Sequence, residues 1–200
     1  SGNKDYIEKY NKIWSIHNKV IEGLFLNTSK ELKETQGELQ ELITEKLNNL
    51  RSLLDGVYLI NELSPKTKDK LLSFGESLSS SIIFHTLKSR NSDVFLKNSQ
   101  ELIITDNNFN NATVNFEITN SNIKSFFSSN TNDIVLLPGF ISKSITDEIT
   151  TLGRGGSDYT AAIVAAAINA KELQIWTDVS GMFTTNPKIV KQAAPIVELS

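Results

Sequence analysis

Apolar positions along the first ninety residues recur with the spacing of amphipathic helices. Two sets stand three or four residues apart: Ile13, Trp14, His17, Val20, Ile21 and Leu24, then Leu39, Ile43, Leu47, Leu50 and Leu54. Each set places one stripe along a helix, so the pattern predicts two helices that bury these stripes. Asn27-Thr28-Ser29 separates the two sets and offers an N-cap for the second helix.

A third helix is predicted from Lys70 to Lys88, after a loop at Asn61–Lys66 that contains Pro65. Gly75 and several serines lie within this helix, although both residue types have low helix propensity. Weak helix formers in a helical pattern indicate close packing or a nearby ligand.

Beyond Arg90 the pattern changes to short apolar runs bounded by Asn, Ser, Asp or Gly, which is typical of strands. The predicted strands are Asp93–Leu96, Glu101–Thr105, Thr113–Ile118, Asp133–Leu137 and Glu172–Thr177, with helices at Ser121–Ser128 and Ser157–Ala170. This alternation predicts an α/β fold, a three-layer α/β/α sandwich with a mostly parallel sheet and a helix-rich N-terminal part. We therefore divide the chain into a helical part, 1–90, and an α/β part, 91–200.

The composition excludes several classes of protein. The 200 residues are 39% apolar and 22% charged, carry a net charge of −3 and include no cysteine. Disulfides and thiolate metal sites are therefore impossible, and the charge gives no reason to expect a nucleic acid or membrane partner. The sequence has no apolar run near the roughly 20 residues that span a bilayer. It also has no signal peptide pattern, so we expect a cytoplasmic protein.

The most informative segment is Leu152-Gly153-Arg154-Gly155-Gly156-Ser157-Asp158, which leads into an alanine-rich helix. Glycine permits positive φ and close approach of a ligand, and the first turn of a helix offers N–H groups to an anion. Arg154 can bind a carboxylate through two parallel hydrogen bonds, so we interpret it as a ligand-binding residue rather than a surface arginine. Asp158 has two possible roles. It either complements the helix dipole or holds a lysine or a magnesium ion near phosphates, and we favour this functional role over the dipole.

Three further places carry candidate binding residues. Glu76 follows Gly75, whose small size leaves room for a ligand whose ammonium Glu76 would receive. Thr177 and Asp178 end a predicted strand, where they either bind a ribose or nucleobase or form an ordinary turn. Phe183 and Lys188 offer a ring face and a phosphate-directed charge, and Lys143 is a weaker phosphate candidate. The sequence contains no Gly-Lys-Ser/Thr phosphate loop.

These motifs resemble the kinase domain of the aspartokinases, within the amino-acid kinase family. The string Leu152 to Ala162 followed by Trp176-Thr177-Asp178-Val179-Ser180-Gly181 is the most specific part of the resemblance. Ser73-Phe74-Gly75-Glu76 and Leu137-Pro138-Gly139-Phe140 resemble two shorter motifs of that family. The matching segments lie in order between positions 73 and 188, while the first seventy residues match only as a helical insertion.

The resemblance implies ATP-dependent phosphorylation of the side-chain carboxylate of L-aspartate, with ATP and Mg²⁺ as cofactors. This reaction is the entry step to lysine, threonine, methionine and isoleucine synthesis. Carried over by motif, Arg154 clamps an aspartate carboxylate, Glu76 receives the ammonium, and Gly155 and Ser157 complete the substrate site. Asp158 is expected to organise the phosphate-binding lysine and the magnesium region. No side-chain metal ligand is predicted.

On the nucleotide side, the resemblance implies that Thr177 and Asp178 contact ATP, with Phe183 and Lys188 near its base and phosphates. The family usually has Tyr-Thr-x-Asp-Pro-Arg where this chain has Phe183-Thr184-Thr185-Asn186-Pro187-Lys188. The change to phenylalanine removes a hydroxyl. The change to lysine removes bidentate phosphate binding.

The family's first strand, Lys-Phe-Gly-Gly-Thr-Ser, has no counterpart in the sequence. We therefore expect an internal fragment of one kinase domain that has little activity alone. An alternative is a catalytically dead small-molecule-binding module with the same fold. Absent central strands would leave unpaired sheet edges, so we expect a homodimer or a higher homo-oligomer.

Overall fold

The computed structural model describes residues 5–26, 30–177, 181, 183–186 and 188–196. Two compact units make up the chain, Ser1–Ala170 and Lys171–Ser200. The helices are α1 (Asp5–Leu24), α2 (Lys30–Ile60), α3 (Pro65–Ser89), α4 (Phe116–Ser129) and α5 (Gly156–Ala167). The strands are β1 (Val94–Leu96), β2 (Ile104–Thr105), β3 (Ile134–Leu136), β4 (Ile141–Ser144) and β5 (Ile149–Thr151).

The first three helices pack around one apolar core, as their periodicity predicts. Its buried members are Tyr10, Ile21, Phe25, Leu39, Ile43, Leu47, Leu50, Leu78 and Ile82. The third helix begins earlier than predicted, because Pro65 is its first residue and not part of the preceding loop. Proline suits this position since its missing N–H has no acceptor there. The Ser64 hydroxyl oxygen caps the helix by accepting a hydrogen bond of 3.1 Å from the Thr67 N–H.

The strands form one parallel pair and one mixed sheet. Strands β1 and β3 pair in parallel, β2 pairs with β4 in parallel, and β4 pairs with β5 in antiparallel orientation. Helix α3 contacts β1 and β5, whereas α4 contacts β2 and α5. A second apolar core includes residues of α4 and α5 and of the segments beside β2 and β5. Its buried members are Leu102, Ile103, Val114, Ile123, Leu152, Ile163 and Ala167. The fold is therefore α/β with a helix-rich N-terminal part, as predicted.

The β4–β5 hairpin is absent from the predicted elements. Most of its residues are polar in sequence, yet Ser142 and Thr150 are completely buried. The two hydroxyl groups lie 2.9 Å apart, and Thr150 Oγ1 lies 2.7 Å from Thr105 Oγ1 on β2. Hydrogen bonds among hydroxyl groups make this burial possible, and the resulting lack of apolar residues hides the hairpin from a hydrophobicity pattern.

Three predicted segments were wrong in type or length. Thr113–Ile118 forms only a bridge at Val114, because Asn115 Oδ1 accepts from the Ile118 N–H and starts α4 there. The helix predicted at Ser121–Ser128 is correspondingly longer. Glu101–Thr105 contains strand only at its end, after a 3₁₀ turn.

Glu172–Thr177, predicted as a strand, adopts no regular structure. Among the described residues no strand pairs with it. The described part of Lys171–Ser200 contains turns and an isolated bridge between Phe183 and Pro195. No described helix is long and apolar enough to cross a membrane.

Candidate functional site

A glycine-rich turn connects β5 to α5 and carries Arg154. Gly153 and Gly155 both have positive φ, 74° and 76°, in the left-handed region that glycine adopts most readily. A Cβ atom on Gly153 would lie 2.6 Å from Asn111 Oδ1, whereas a Cβ on Gly155 would meet nothing within 4 Å. Gly153 is therefore required by both backbone conformation and packing, and Gly155 by backbone conformation alone.

Helix α5 begins at Gly156 without a side-chain cap, because Gly155 is the N-cap residue. The N–H of Gly156 donates to Gly153 O at 3.0 Å, and the N–H of Tyr159 donates to Gly155 O at 3.0 Å. The backbone N–H groups of Ser157 and Asp158 have no acceptor within the described part of the chain. Free N–H groups in the first turn of a helix, together with its dipole, favour an anion.

Glu76 on α3 faces this turn across a cleft of about 350 Å³. The lining consists of Glu76, Phe140 and the run from Gly153 to Asp158. Arg154, Ser157 and Asp158 are exposed, while Glu76 is half-buried. The structure thus brings together the predicted substrate-binding residues Glu76, Arg154, Gly155 and Ser157, with Asp158 beside them.

Two opposite charges in the cleft lack an ion-pair partner in the part of the chain that the structure describes. Neither the Arg154 guanidinium nor the Glu76 carboxylate forms an ion pair with any described residue. Burial raises the pKa of the Glu76 carboxyl above its ordinary value, since desolvation disfavours the charged form. An anion and a cation in one cleft, neither paired with a described residue, suit a ligand that carries both a cationic and an anionic group.

The Leu137-Pro138-Gly139-Phe140 turn fixes the start of α5. Phe140 has a φ of 67°, donates its N–H to Thr160 Oγ1 at 3.1 Å and accepts from the Leu152 N–H at 2.9 Å. Its ring packs so closely on Gly156 that a Cβ there would lie 2.9 Å from a ring carbon. Phe140 therefore lines the cleft, although it was not among the predicted site residues. The Gly-Phe motif was its only signal in the sequence.

A larger and more apolar cavity of about 480 Å³ adjoins the cleft and shares Glu76 and Ser157 with it. Strand β3 and helix α5 supply most of its walls, including Val135, Leu136, Ala161 and Val164, and Phe127 of α4 also lines it. Glu76 and Ser157 therefore stand at the boundary between a polar and an apolar space.

The predicted nucleotide-binding residues belong to the second unit, Lys171–Ser200. Thr177 is exposed, and Asp178 lies outside the described residues. Phe183 forms the bridge to Pro195, and the backbone N–H of Lys188 donates to Asn186 Oδ1 at 2.9 Å.

Two other features bear on phosphate and metal binding. Lys143, the weaker phosphate candidate, lies on β4, and its ammonium pairs with Asp147 at 2.7 Å. Within the described residues no group of three or more His, Asp or Glu side chains is arranged to hold a metal ion.

Residues 2–200 match the amino acid kinase family, and the chain belongs to that family. Among its relatives, the chain is similar to aspartokinases. It is 38% identical to the aspartokinase of Geobacillus stearothermophilus over 78% of this chain and 37% of the relative. It is 34% identical to chloroplastic aspartokinase 1 of Arabidopsis thaliana, over 90% of this chain and 32% of the relative. The chain thus spans well under half the length of these relatives.

Solved structures give the same result. The crystal structure of Escherichia coli aspartokinase III in complex with aspartate and ADP matches with a TM-score of 0.84 and 30% identity. The match covers 96% of this chain and 40% of that one. A second crystal structure of that enzyme, in complex with lysine and aspartate, matches with a TM-score of 0.79. The resemblance noted in the sequence and the amino-acid-kinase type of α/β fold are both confirmed.

Proposed function

We propose that this chain supplies the substrate site of an aspartate kinase, which transfers the γ-phosphoryl group of ATP to the side-chain carboxylate of L-aspartate. One observation carries the proposal: a single cleft holds an unpaired guanidinium, Arg154, and an unpaired, half-buried carboxylate, Glu76. The aspartate and ADP in the similar E. coli aspartokinase III crystal structure support the choice of ligand.

The charges of L-aspartate match those of the cleft. Glu76 receives the ammonium group, and Arg154 binds a carboxylate through two parallel hydrogen bonds. Gly155 leaves space beside the guanidinium, since a Cβ there would meet nothing within 4 Å. Ser157 offers its backbone N–H and its hydroxyl to the same ligand. These contacts hold aspartate by both charged ends, which orients the acceptor carboxylate.

In the transfer, a side-chain carboxylate oxygen attacks the γ-phosphorus, the bond to the β-γ bridging oxygen breaks, and ADP leaves. Such transfers depend on positioning and charge neutralisation more than on covalent help from the protein. Mg²⁺ takes one or two carboxylates plus phosphate oxygens as ligands, so the exposed Asp158 fits as one of its few protein contacts. When bound, Mg²⁺ supplies charge neutralisation at the phosphates. Asp158 also orients a phosphate-binding lysine in this proposal.

The nucleotide contacts are part of the same proposal. Thr177 and Asp178 bind the nucleotide, with Phe183 and Lys188 near the base and phosphates. Lys188 is exposed, so its ammonium is accessible to a phosphate. A lysine provides a point charge rather than the planar fork of an arginine. We therefore expect weaker nucleotide binding than in a relative with arginine there, and restoration by Lys188→Arg.

The test is phosphorylation of aspartate by the full-length protein, with aspartyl phosphate trapped as the hydroxamate. We expect product with L-aspartate and little with L-glutamate or N-acetylglutamate. The longer side chain of L-glutamate would displace its acceptor carboxylate, and N-acetylglutamate has no ammonium group for Glu76. Calorimetry with each amino acid measures binding separately from turnover. Absence of aspartate binding and of product would contradict the proposal.

The second candidate is a binding module that has the fold but no activity. The substitutions at Phe183 and Lys188 favour it, since both remove polar contacts to the nucleotide. Aspartate binding without turnover in the full-length protein would support this candidate. In either case we expect the 200-residue chain alone to have little activity. A role in lysine and threonine synthesis and a cytoplasmic location also belong to the proposal.

A further inference from the structure

Helix α3 carries a second carboxylate, Asp69, two turns before Glu76. Residues seven apart lie on nearly the same face of a helix, so the two carboxylates point toward the same side of α3. Asp69 is completely buried, with 0% of its surface exposed. It forms no ion pair with any described residue. A buried carboxylate without a cation is costly, so its hydrogen bonds have to compensate.

Those hydrogen bonds come from two other segments of the chain. Asp69 Oδ2 accepts from the backbone N–H of Thr151 at 3.1 Å and from that of Asn110 at 2.8 Å. Asp69 Oδ1 accepts from the Thr151 hydroxyl at 2.7 Å. Only a carboxylate presents acceptors at both oxygens. An asparagine would direct its NH₂ group at one of these donors.

The two segments that Asp69 joins also contact each other. Thr151 O accepts from the Ala112 N–H at 2.9 Å. Beyond Thr151, the Asn111 side chain lies so close to Gly153 that no Cβ fits there. Asp69 therefore holds the turn at 110–112 against the end of β5, from which the glycine-rich turn departs. We call Asp69, Asn110 and Thr151 the Asp69 clamp.

We propose that Asp69 is a positioning residue that sets the separation between the Glu76 carboxylate and the Arg154 guanidinium. Glu76 follows Asp69 on one rigid helix, and Arg154 follows Thr151 by three residues. The Asp69–Thr151 hydrogen bonds therefore connect helix α3, which carries Glu76, to the end of β5, three residues before Arg154. The inference rests on the proposed function, since it assigns both side chains to one ligand.

The experiment uses substitutions in the full-length protein, with kinetics for aspartate and ATP measured separately. In Asp69→Asn we expect the KM for aspartate to rise about tenfold or more, because small displacements of binding groups are costly. The KM for ATP should not change. Thr151→Val removes one hydroxyl donor and should raise the KM for aspartate less. Thr151→Ser keeps that hydroxyl, so its KM for aspartate should equal that of the unsubstituted protein.

Asp106→Asn is the matched control. Asp106 lies in the same connection between β2 and α4, and its carboxylate accepts backbone N–H groups from Asn108 and Thr113 at 3.1 and 2.9 Å. It contacts neither α3 nor β5 through these bonds. This variant should lose stability without a change in the KM for aspartate. Thr151→Val removes a single side-chain hydrogen bond. This variant can therefore test the inference if Asp69→Asn does not fold.

The outcomes separate the inference from the proposed function. An unchanged KM for aspartate in folded Asp69→Asn or Thr151→Val protein overturns the positioning role of Asp69, even where stability falls. A rise in this KM in Asp106→Asn equal to that in Asp69→Asn also overturns it. Hydrogen exchange provides a readout without activity: the amides of Asn110 and Thr151 should lose protection in Asp69→Asn. By contrast, a failure of the unsubstituted protein to bind aspartate contradicts the proposed function itself.

Discussion

Gly139 packs directly on the backbone of Ser157: a Cβ atom on Gly139 would lie 2.8 Å from Ser157 Cα and 3.0 Å from its Cβ. Through this contact the turn after β3 packs against the first turn of α5. Ser157 is one of the proposed substrate contacts, so the position of the helix start depends on a residue with no side chain. Neither backbone can move far, because Phe140, which follows Gly139, is hydrogen-bonded to Thr160 of α5 and to Leu152.

Gly139→Ala should therefore destabilise the protein by about 1–3 kcal/mol, the usual cost of overpacking. It should also weaken aspartate binding, since Ser157 has to shift. Urea unfolding measures the first effect and calorimetry the second. Gly37→Ala is the control, because Gly37 lies in α2 with nothing within 4 Å of a Cβ, and it should gain up to about 1 kcal/mol. Equal stability of Gly139→Ala and the unsubstituted protein would contradict the packing argument.

The glycine-rich turn provides a matched pair of substitutions. Gly153 and Gly155 have nearly the same φ, 74° and 76°, but only Gly153 has a close neighbour. Gly155→Ala should cost about 1–2 kcal/mol from backbone strain alone. Gly153→Ala should cost more, because the methyl group also displaces Asn111. Thermal unfolding of the two variants checks the order, and a smaller loss for Gly153→Ala would show that Asn111 moves aside freely.

Arg154 should tolerate lysine poorly, although the charge is kept. Arg154→Lys replaces two parallel hydrogen bonds with one, and we expect about a tenfold loss of aspartate affinity, with a larger loss for Arg154→Gln. Because Arg154 is exposed and unpaired, neither variant should change the temperature of unfolding without ligand. A loss of stability equal to the loss of binding would instead indicate a structural role.

Glu76 should give aspartate binding a characteristic pH dependence. Burial raises the pKa of its carboxyl, so the ionised form that binds an ammonium group is lost at a higher pH than for an ordinary glutamate. Aspartate affinity should therefore fall on acidification through this raised pKa. Glu76→Gln should lower the affinity by about tenfold to a hundredfold, since a hydrogen bond to a charged group contributes about 1.5–3 kcal/mol.

Stability without ligand should follow the opposite trend. The folded protein binds the proton on Glu76 more tightly than the unfolded chain does. This group therefore contributes stability at acidic pH that is lost as the pH rises through its folded pKa. Glu76→Gln should remove that dependence. Calorimetric titration and urea unfolding across the acidic range measure the two trends as differences between the unsubstituted protein and Glu76→Gln. An aspartate affinity with the same pH dependence in both proteins would exclude Glu76 as the ammonium contact.

The oligomeric state is open to a direct measurement. In the described residues β1 and β3 pair only with each other, so each has one edge without a partner strand. Strands at a sheet edge present unpaired N–H and C=O groups, so we expect this chain to form a dimer or a higher assembly. Sedimentation should then show a mass that increases with protein concentration. A single monomeric species at micromolar concentration would contradict this expectation.

The sequence was sufficient for the helices and for several residues of the cleft, but not for Phe140. Three helices follow from apolar spacing, and the cleft follows from glycines on both sides of Arg154. The β4–β5 hairpin could not be predicted this way, because Ser142 and Thr150 are buried through hydroxyl pairing rather than apolar character. Asp69 was also missed, since an aspartate within a helix is normally exposed and nothing local indicates burial. Its partners lie 41 and 82 residues away, beyond the range of any pattern.

Helix α5 begins at a glycine N-cap that has no side-chain oxygen to accept from the N–H groups of Ser157 and Asp158. An anion docked beside Ser157 and Asp158 would act as the missing cap. Occupancy of the cleft and resistance of this helix to heat are therefore coupled, because a ligand that binds only the folded chain shifts the unfolding equilibrium. A bound substrate would then cap the first turn of α5 as well as take part in the reaction.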